Sequence, residues 1–307
     1  VVEGSPAAFH PDPTDVQNVA KAIARFQATV FCGTSTFLRL FNRNKRIHPL
    51  MLESLRLVVA GAEKLDPEVR NAFKLKFNKD IYEGYGTTET TPVASVNVPD
   101  RLDSGDFQVQ YGSKIGTVGM PLPGGSFRIV DPDTLRQLPA GEDGLIMFGG
   151  SQVMAGYLDD PERTADAIVE IDGIRWYKTG DKGHVDEDGF LTIVDRYSRF
   201  AKIGGEMISL GAIETALSPL LPEDVEVTAT AIPDPRKGEQ VVILYTPGID
   251  EDELRRLVAA SGLNTLMQPS AYIRVDEVPK LGSGKNDFSA AKQLAISHFG
   301  AVAAAGG

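Results

Sequence analysis

Residues 55–63 read Leu-Arg-Leu-Val-Val-Ala-Gly-Ala-Glu, and this stretch decides the fold class of the first third of the chain. The apolar run predicts a strand that ends at the glycine. Asp66 then predicts a helix N-cap, with Pro67 at the first helical position. Another strand is predicted at 80–83. This alternation of strands and helices predicts a mainly parallel sheet with covering helices.

The residues before this stretch continue the alternation. Thr14 and Gln17 can form a capping box at the start of a helix. The apolar residues that follow recur at helical spacing: Val16, Val19, Ala20, Ile23 and Phe26. Residues 28–32 predict a buried strand, so the single cysteine, Cys32, is predicted to be a buried, reduced thiol rather than a nucleophile.

From about Ser113 the chain becomes rich in Gly and Pro, and short strands dominate. The predicted strands are 126–130, 144–148, 176–178 and 190–194. Residues 186–189, Asp-Glu-Asp-Gly, form a hairpin-turn signal. After Arg196 the predicted elements are helix 210–217, strands 225–231 and 240–245, helix 251–260, strand 272–275 and helix 287–299.

We therefore predict an α/β and α+β multidomain protein. Its parts would be a partial parallel α/β subdomain (1–112), a small β-barrel subdomain (113–196), a C-terminal α+β domain (197–300) and a frayed tail (301–307).

Composition argues against some classes of function. The net charge of −11 argues against a nucleic-acid partner, because a phosphate backbone calls for a basic face. No stretch approaches the 18 or so apolar residues of a membrane span. The chain opens Val-Val-Glu without a Met or a visible signal peptide, and we expect it to be a fragment.

Residues 84–89, Gly-Tyr-Gly-Thr-Thr-Glu, are the first candidate site. Glycines let a backbone approach a ligand closely, and an aromatic face can stack on a base. A hydroxyl beside a carboxylate can serve a phosphate and its Mg²⁺. A glycine-rich turn that starts a helix explains the same letters equally well.

Three later segments add candidates. In 176–181, Trp-Tyr-Lys-Thr-Gly-Asp, the aspartate could accept hydrogen bonds from a ribose diol, although in isolation the pattern favours a turn residue. The polar and glycine-rich segment 195–206 suits a hinge or a surface linker. Residues 282–285, Gly-Ser-Gly-Lys, resemble a phosphate loop but lack its full spacing.

Taken in order, and with the Gly-x₆-Gly-Tyr pattern at 149–157, these motifs resemble the adenylate-forming superfamily of acyl-CoA synthetases, nonribosomal adenylation domains and luciferases. Segments 32–38, 59–65, 200–207 and 281–285 are most similar to the acyl-carrier-protein synthetase part of bifunctional 2-acylglycerophosphoethanolamine acyltransferases. The resemblance covers essentially the whole chain and implies the adenylate-forming fold, with ATP and Mg²⁺ as cofactors.

The resemblance also implies roles for individual residues. The residues that would bind ATP are Gly61, Ala62 and Glu63 at the adenine, Tyr85 stacked on the adenine ring, and Gly86. Asp181 and Arg196 would contact the ribose. The catalytic residues would be Thr88 at a phosphate, Glu89 as the Mg²⁺ ligand, and Lys285, which would bridge the acyl carboxylate and the α-phosphate.

In the family the C-terminal domain is a mobile lid that turns between two half-reactions. Its hinge position, commonly Asp or Lys, is Ser198 here, and Gly204 and Gly205 would line the thiol tunnel. The superfamily's Ser/Thr/Gly-rich phosphate loop does not occur in this sequence, and we expect weak ATP binding and slow acid activation from the chain as it stands.

The implied partners are a fatty acid or another carboxylic acid, and acyl carrier protein or CoA as acceptor. The cluster Arg39, Arg43, Lys45, Arg46 and His48 is either a solvated helix end or a dock for an acidic carrier or anionic lipid. We expect a location on the cytoplasmic side, with a longer parent protein in peripheral contact with the inner membrane. The alternatives are an acyl-CoA synthetase for another acid and a non-catalytic carrier-binding module.

Overall fold

The computed structural model describes residue 4 and residues 6–222, 224–281 and 286–305. It divides the chain into two compact units, Val1–Val194 and Asp195–Gly307. The domain boundaries after residues 112 and 196 stay predictions.

The helices of the described residues are α1 (Val16–Phe26), α2 (Ser35–Arg43), α3 (Pro67–Phe77), α4 (Pro161–Ala167), α5 (Leu210–Leu217), α6 (Glu251–Ala260) and α7 (Phe288–Ala305). The strands are β1 (Val30–Gly33), β2 (Leu57–Ala60), β3 (Ile81–Tyr85), β4 (Ser95–Val96), β5 (Arg101–Leu102), β6 (Val109–Gln110), β7 (Met120–Pro121), β8 (Gly125–Val130), β9 (Gly144–Gly150), β10 (Ile168–Ile171), β11 (Ile174–Val185), β12 (Leu191–Arg196), β13 (Phe200–Ile203), β14 (Glu206–Ser209), β15 (Val227–Asp234), β16 (Gly238–Tyr245) and β17 (Ala271–Arg274).

The first sheet has the order β1-β2-β3-β4-β7, and its first three strands are parallel. Val30 pairs with Leu57, and Val58 pairs with Ile81. Helices α1, α2 and α3 bury their apolar faces against β2 and β3 in one core. The predicted parallel sheet with covering helices is confirmed, and its register brings the carboxyl ends of β1, β2 and β3 to one edge.

Helix starts follow local hydrogen-bonding chemistry. Asp66 caps α3 as predicted, because its carboxylate accepts from the backbone N–H of Glu68 at 2.7 Å. The predicted cap of α1 is wrong: Asp15 is the cap and accepts from Asn18 N–H. Thr14 is not available, because its hydroxyl donates to the Asp12 carboxylate at 2.6 Å.

The prediction of a buried Cys32 is also wrong, because this thiol is exposed. Within the described part of the chain, β1 is an edge strand that pairs only with β2, and Val30 on it is also exposed. An apolar run predicts a strand but does not reveal whether both of its faces are covered.

The β-rich region forms a half-barrel of β10-β11-β9-β8, with β12 also paired to β11. β11 is far longer than the predicted 176–178, and its register shifts between Lys178 and Lys182, where the strand bends. The predicted hairpin turn is confirmed: Asp186 N–H donates to Phe190 O at 3.1 Å, and Gly189 takes a φ of 89° that favours glycine.

The second unit has a sheet of order β14-β13-β16-β15, with β17 parallel to β16. Helices α5 and α6 coincide with the predicted ranges and share one core with this sheet. Helix α7 continues to Ala305, so the predicted frayed tail is wrong over 301–305. The alanine-rich sequence there has high helix propensity.

Within the part of the chain that the structure describes, none of the helices combines the length and apolar character that a membrane crossing needs.

Replacement of Leu38 by Ala tests the first core. Leu38 is fully buried, so the truncation should lower the free energy of unfolding by about 2–5 kcal/mol in a urea titration. Leu75→Ala is the matched control, because Leu75 is 88% exposed and should change stability by less than about 0.5 kcal/mol. Equal losses in the two variants would contradict the assigned core.

Candidate functional site

The candidate site lies in the first unit, where the parallel strands end. Gly33, Ala60 and Tyr85 are the last residues of β1, β2 and β3, and the candidate segments 61–63 and 86–89 follow directly. Ligands on sheets of this kind bind outside the carboxyl ends of the strands. The register therefore brings these two segments together at one edge of the sheet.

The backbone after β2 is tightly held. Gly61 N–H donates to Gly33 O at 3.1 Å, and Ala62 takes the left-handed φ of 68°. The Glu63 carboxylate accepts the N–H of Thr36 at 2.5 Å, in the first turn of α2. Because the Glu63 side chain serves this helix start, its backbone, with that of Gly61 and Ala62, is the part available to a ligand at this edge.

Tyr85 and Asp181 meet, although 96 residues separate them. The Tyr85 hydroxyl donates to Asp181 Oδ2 at 2.5 Å, and Asp181 is only 3% exposed. Burial and the neighbouring carboxylate raise the pKa of Tyr85, so the phenol keeps its proton and acts as a donor. Thr179 helps to place the aspartate, because its hydroxyl accepts from Asp181 N–H at 3.0 Å.

The segment after β3 makes a compact loop. A side chain at Gly86 would collide with the backbone, since a Cβ there would lie 1.8 Å from Pro92 O. Residues Thr88–Thr90 form a 3₁₀ turn, and the buried Thr90 hydroxyl accepts from Thr87 N–H at 2.9 Å. This turn leaves Thr88 exposed and presents Glu89 beside it.

Glu89 has a partner that sequence reasoning did not assign to the site. The Tyr157 hydroxyl donates to Glu89 Oε1 at 2.7 Å. Burial by itself raises the pKa of Glu89, but hydrogen bonds, led by that of Tyr157, outweigh it and hold the pKa below its usual value. Glu89 is therefore a carboxylate at neutral pH. Tyr157 belongs to the 149–157 pattern, but the spacing of that pattern does not predict a contact with residue 89.

The donor set suits a metal that arrives with phosphates. Among the described residues, no group of three or more His, Cys, Asp or Glu side chains could hold a metal ion alone. Mg²⁺ is usually bound by one or two carboxylates together with substrate phosphates. A single ionised carboxylate beside exposed Thr88 fits that arrangement.

The remaining candidates belong to the second unit. Asp195 Oδ2 accepts from the Ser209 hydroxyl at 2.6 Å and from Gly211 N–H at 3.0 Å, and this ties the start of the unit to α5. Arg196 is exposed, and Ser198 lies in the 3₁₀ turn Tyr197–Arg199.

Gly204 and Gly205 form the two-residue turn between β13 and β14. Both have positive φ, 61° and 92°, as a type I′ turn requires. Lys285 lies outside the described residues, so its place relative to this turn stays a prediction.

Comparisons with known proteins identify the family of the chain. The family model "AMP-binding enzyme" matches residues 1–158, and the model "AMP-binding enzyme C-terminal domain" matches residues 212–285. A long-chain-fatty-acid–CoA ligase of Escherichia coli strain CFT073 is 30% identical over 89% of this chain and 46% of its own length. The chain spans about half the length of the curated relatives it matches.

Solved structures show the same fold. The ATP-bound structure of MatB from Rhodopseudomonas palustris matches with 28% identity and a TM-score of 0.76, over 93% of this chain and 54% of that chain. The anthranilate CoA ligase AuaEII in complex with anthranoyl-AMP matches with 26% identity and a TM-score of 0.71, over 95% of this chain and 54% of that chain.

Replacement of Tyr85 by Phe tests the contact that joins the two sheets. The variant leaves the buried Asp181 carboxylate without one donor, and the free energy of unfolding should fall by about 1.5–3 kcal/mol. Tyr111→Phe is the control, because Tyr111 is 66% exposed. Urea titrations of both variants that overlay the wild type would show that the hydrogen bond contributes nothing.

Proposed function

Because the chain belongs to the AMP-binding enzyme family, we propose that it serves the ATP-dependent activation of a carboxylic acid as acyl-AMP, followed by transfer of the acyl group to a thiol. The observation that carries the proposal is the Tyr85–Asp181 hydrogen bond at the end of β3, with Glu89 in the turn that directly follows this strand. The ATP bound to MatB and the anthranoyl-AMP bound to AuaEII support it as properties of those relatives.

In the first step an oxygen of the acid attacks the α-phosphorus of ATP, and pyrophosphate leaves. The attack brings two anions together, so the site must stabilise negative charge as it develops. Lys285 is the proposed cation for this step. Mg²⁺ would be held by Glu89 and would neutralise phosphate charge. A fixed cation of this kind contributes roughly 3–4 kcal/mol to the transition state.

The nucleotide would be held by the strand ends. The backbone of 61–63 suits the adenine because it is rigid. The ring of Tyr85 suits it because an aromatic face can stack on a base. Asp181 is proposed for the ribose diol, because a carboxylate can accept hydrogen bonds from both hydroxyls. Arg196 would assist there, and the hydroxyl of Thr88 would donate to a phosphate oxygen.

In the second step a thiolate attacks the acyl carbonyl, and AMP leaves. The Gly204–Gly205 turn is the proposed passage for the thiol by resemblance to the family, and both glycines are exposed. Ser198 is the proposed hinge. The small side chain of serine and the surrounding 3₁₀ turn suit a residue that must change its backbone angles.

The finer proposal is that the acid is a fatty acid and that the acceptor is the thiol of acyl carrier protein. It is supported by the similarity of segments 32–38, 59–65, 200–207 and 281–285 to carrier-protein synthetases, and by the basic residues of 39–48. In a longer parent protein this step would supply lysophospholipid acylation at the cytoplasmic side of the inner membrane. The competing acceptor is CoA, which the fatty-acid ligase of Escherichia coli carries in its name.

Asp181→Asn tests the nucleotide site. The chain should bind AMP, or an acyl-adenosine sulfamate that mimics acyl-AMP, and the variant should bind either about tenfold more weakly, because a carboxylate acceptor for the ribose is lost. Asp133→Asn is the matched control, because Asp133 is exposed and far along the sequence from the candidate segments. Calorimetric titrations in which wild type and Asp181→Asn bind alike, or in which the wild type does not bind, would refute the proposed site.

Supplying ready-made acyl-AMP tests the acceptor without the first step. We expect the chain to acylate carrier protein bearing phosphopantetheine at least about tenfold faster than CoA, measured as thioester formed by mass spectrometry. Carrier protein without the prosthetic thiol is the control. Faster acylation of CoA would assign the chain to the acyl-CoA synthetases instead.

A further inference from the structure

We propose that Tyr157 is a positioning residue that holds the Glu89 carboxylate in the orientation needed by a nucleotide-bound metal ion. The inference rests on the proposed function, since Glu89 is a metal ligand only within it. It concerns a residue 68 positions away from Glu89 in the sequence.

The contact is a directed hydrogen bond between side chains. The Tyr157 hydroxyl donates to Glu89 Oε1 at 2.7 Å, so one carboxylate oxygen is fixed by a phenol. A ligating carboxylate that is hydrogen-bonded in this way keeps its other lone pairs aimed at the metal, and such outer partners tune metal affinity.

Tyr157 is held at its ring and at its backbone. The Arg163 guanidinium lies 3.8 Å from the centre of the Tyr157 ring, within the range of a cation–π contact. Tyr157 N–H donates to the Thr164 hydroxyl at 2.9 Å, and that hydroxyl donates to Asp160 O at 2.8 Å. The start of α4 therefore orients the tyrosine, and the tyrosine orients Glu89.

The backbone around the pair is joined without help from the phenol. Met154 N–H donates to Glu89 O at 2.9 Å, and the Thr91 hydroxyl donates to Gln152 O at 2.9 Å. Arg175 donates to Met154 O and Ala155 O at 3.0 and 2.9 Å. These bonds keep segment 152–157 beside segment 89–93 when only the hydroxyl is removed, so Tyr157→Phe isolates the positioning role.

The experiment measures how much Mg²⁺ improves nucleotide binding. ATP is titrated into the chain with and without Mg²⁺, and AMP is titrated without metal. Tyr157→Phe should reduce the Mg²⁺-dependent gain in ATP affinity about tenfold, as loss of the hydrogen-bond partner of a metal ligand does in other proteins. Metal-free AMP affinity should stay at the wild-type value, which a general structural defect would not allow.

Three further variants complete the test. Glu89→Gln should abolish the Mg²⁺-dependent gain in ATP affinity, which gives the largest loss expected. Arg163→Gln keeps the phenol but removes the cation–π contact to its ring, so it should reduce this gain less than Tyr157→Phe does. Tyr111→Phe removes an exposed phenol and should change nothing. An unchanged gain in Tyr157→Phe, or an equal loss of metal-free AMP affinity, overturns the inference.

A crystal structure of Tyr157→Phe separates this inference from the proposed function. A Glu89 carboxylate that leaves its wild-type rotamer supports the positioning role, and an unmoved carboxylate overturns it. If the wild type shows no gain from Mg²⁺, the proposed role of Glu89 as metal ligand fails, whereas the AMP titrations test the proposed nucleotide site separately and the rotamer of Glu89 still decides whether Tyr157 positions it.

Discussion

A buried carboxylate must be satisfied by donors, and in this protein that requirement joins two sheets. Asp181 lies on β11 of the half-barrel and is almost fully buried, and the Tyr85 hydroxyl at the end of β3 donates to it. An ionised carboxylate without such donors would cost several kcal/mol. The bond, together with the shared apolar core of Ala94, Phe148, Val153 and Tyr177, joins the half-barrel to the parallel sheet, and the candidate site lies at that meeting point.

Much of the fold could be predicted because its signals are local. Pro67 after a capping Asp66 starts α3, and three acidic residues after Asp250 favour the first turn of α6. Parallel pairing then has one geometric consequence, which is that strand ends align. For this reason the candidate segments 61–63 and 84–89 could be placed at one edge from the sequence alone.

The parts that could not be predicted depend on what a side chain meets across the fold. The Tyr157–Glu89 hydrogen bond joins residues far apart in the chain, and no periodicity in the sequence predicts it. The resemblance implies that Glu63 lies at the adenine, yet its carboxylate accepts from the first turn of α2. The apolar run predicts a buried Cys32, although burial depends on neighbouring elements rather than on the run itself.

The one-sided pairing of β1 has a consequence for how the chain is handled. Among the described residues β1 pairs with β2 alone, and its sequence is Val-Phe-Cys-Gly, with Val30 and Cys32 exposed. Natural proteins usually blunt a sheet edge with charge, proline or a covering segment, because unpaired backbone groups are a template for strand addition. A thiol on such an edge is accessible to oxidants, so we expect a reducing buffer to protect Cys32 during purification.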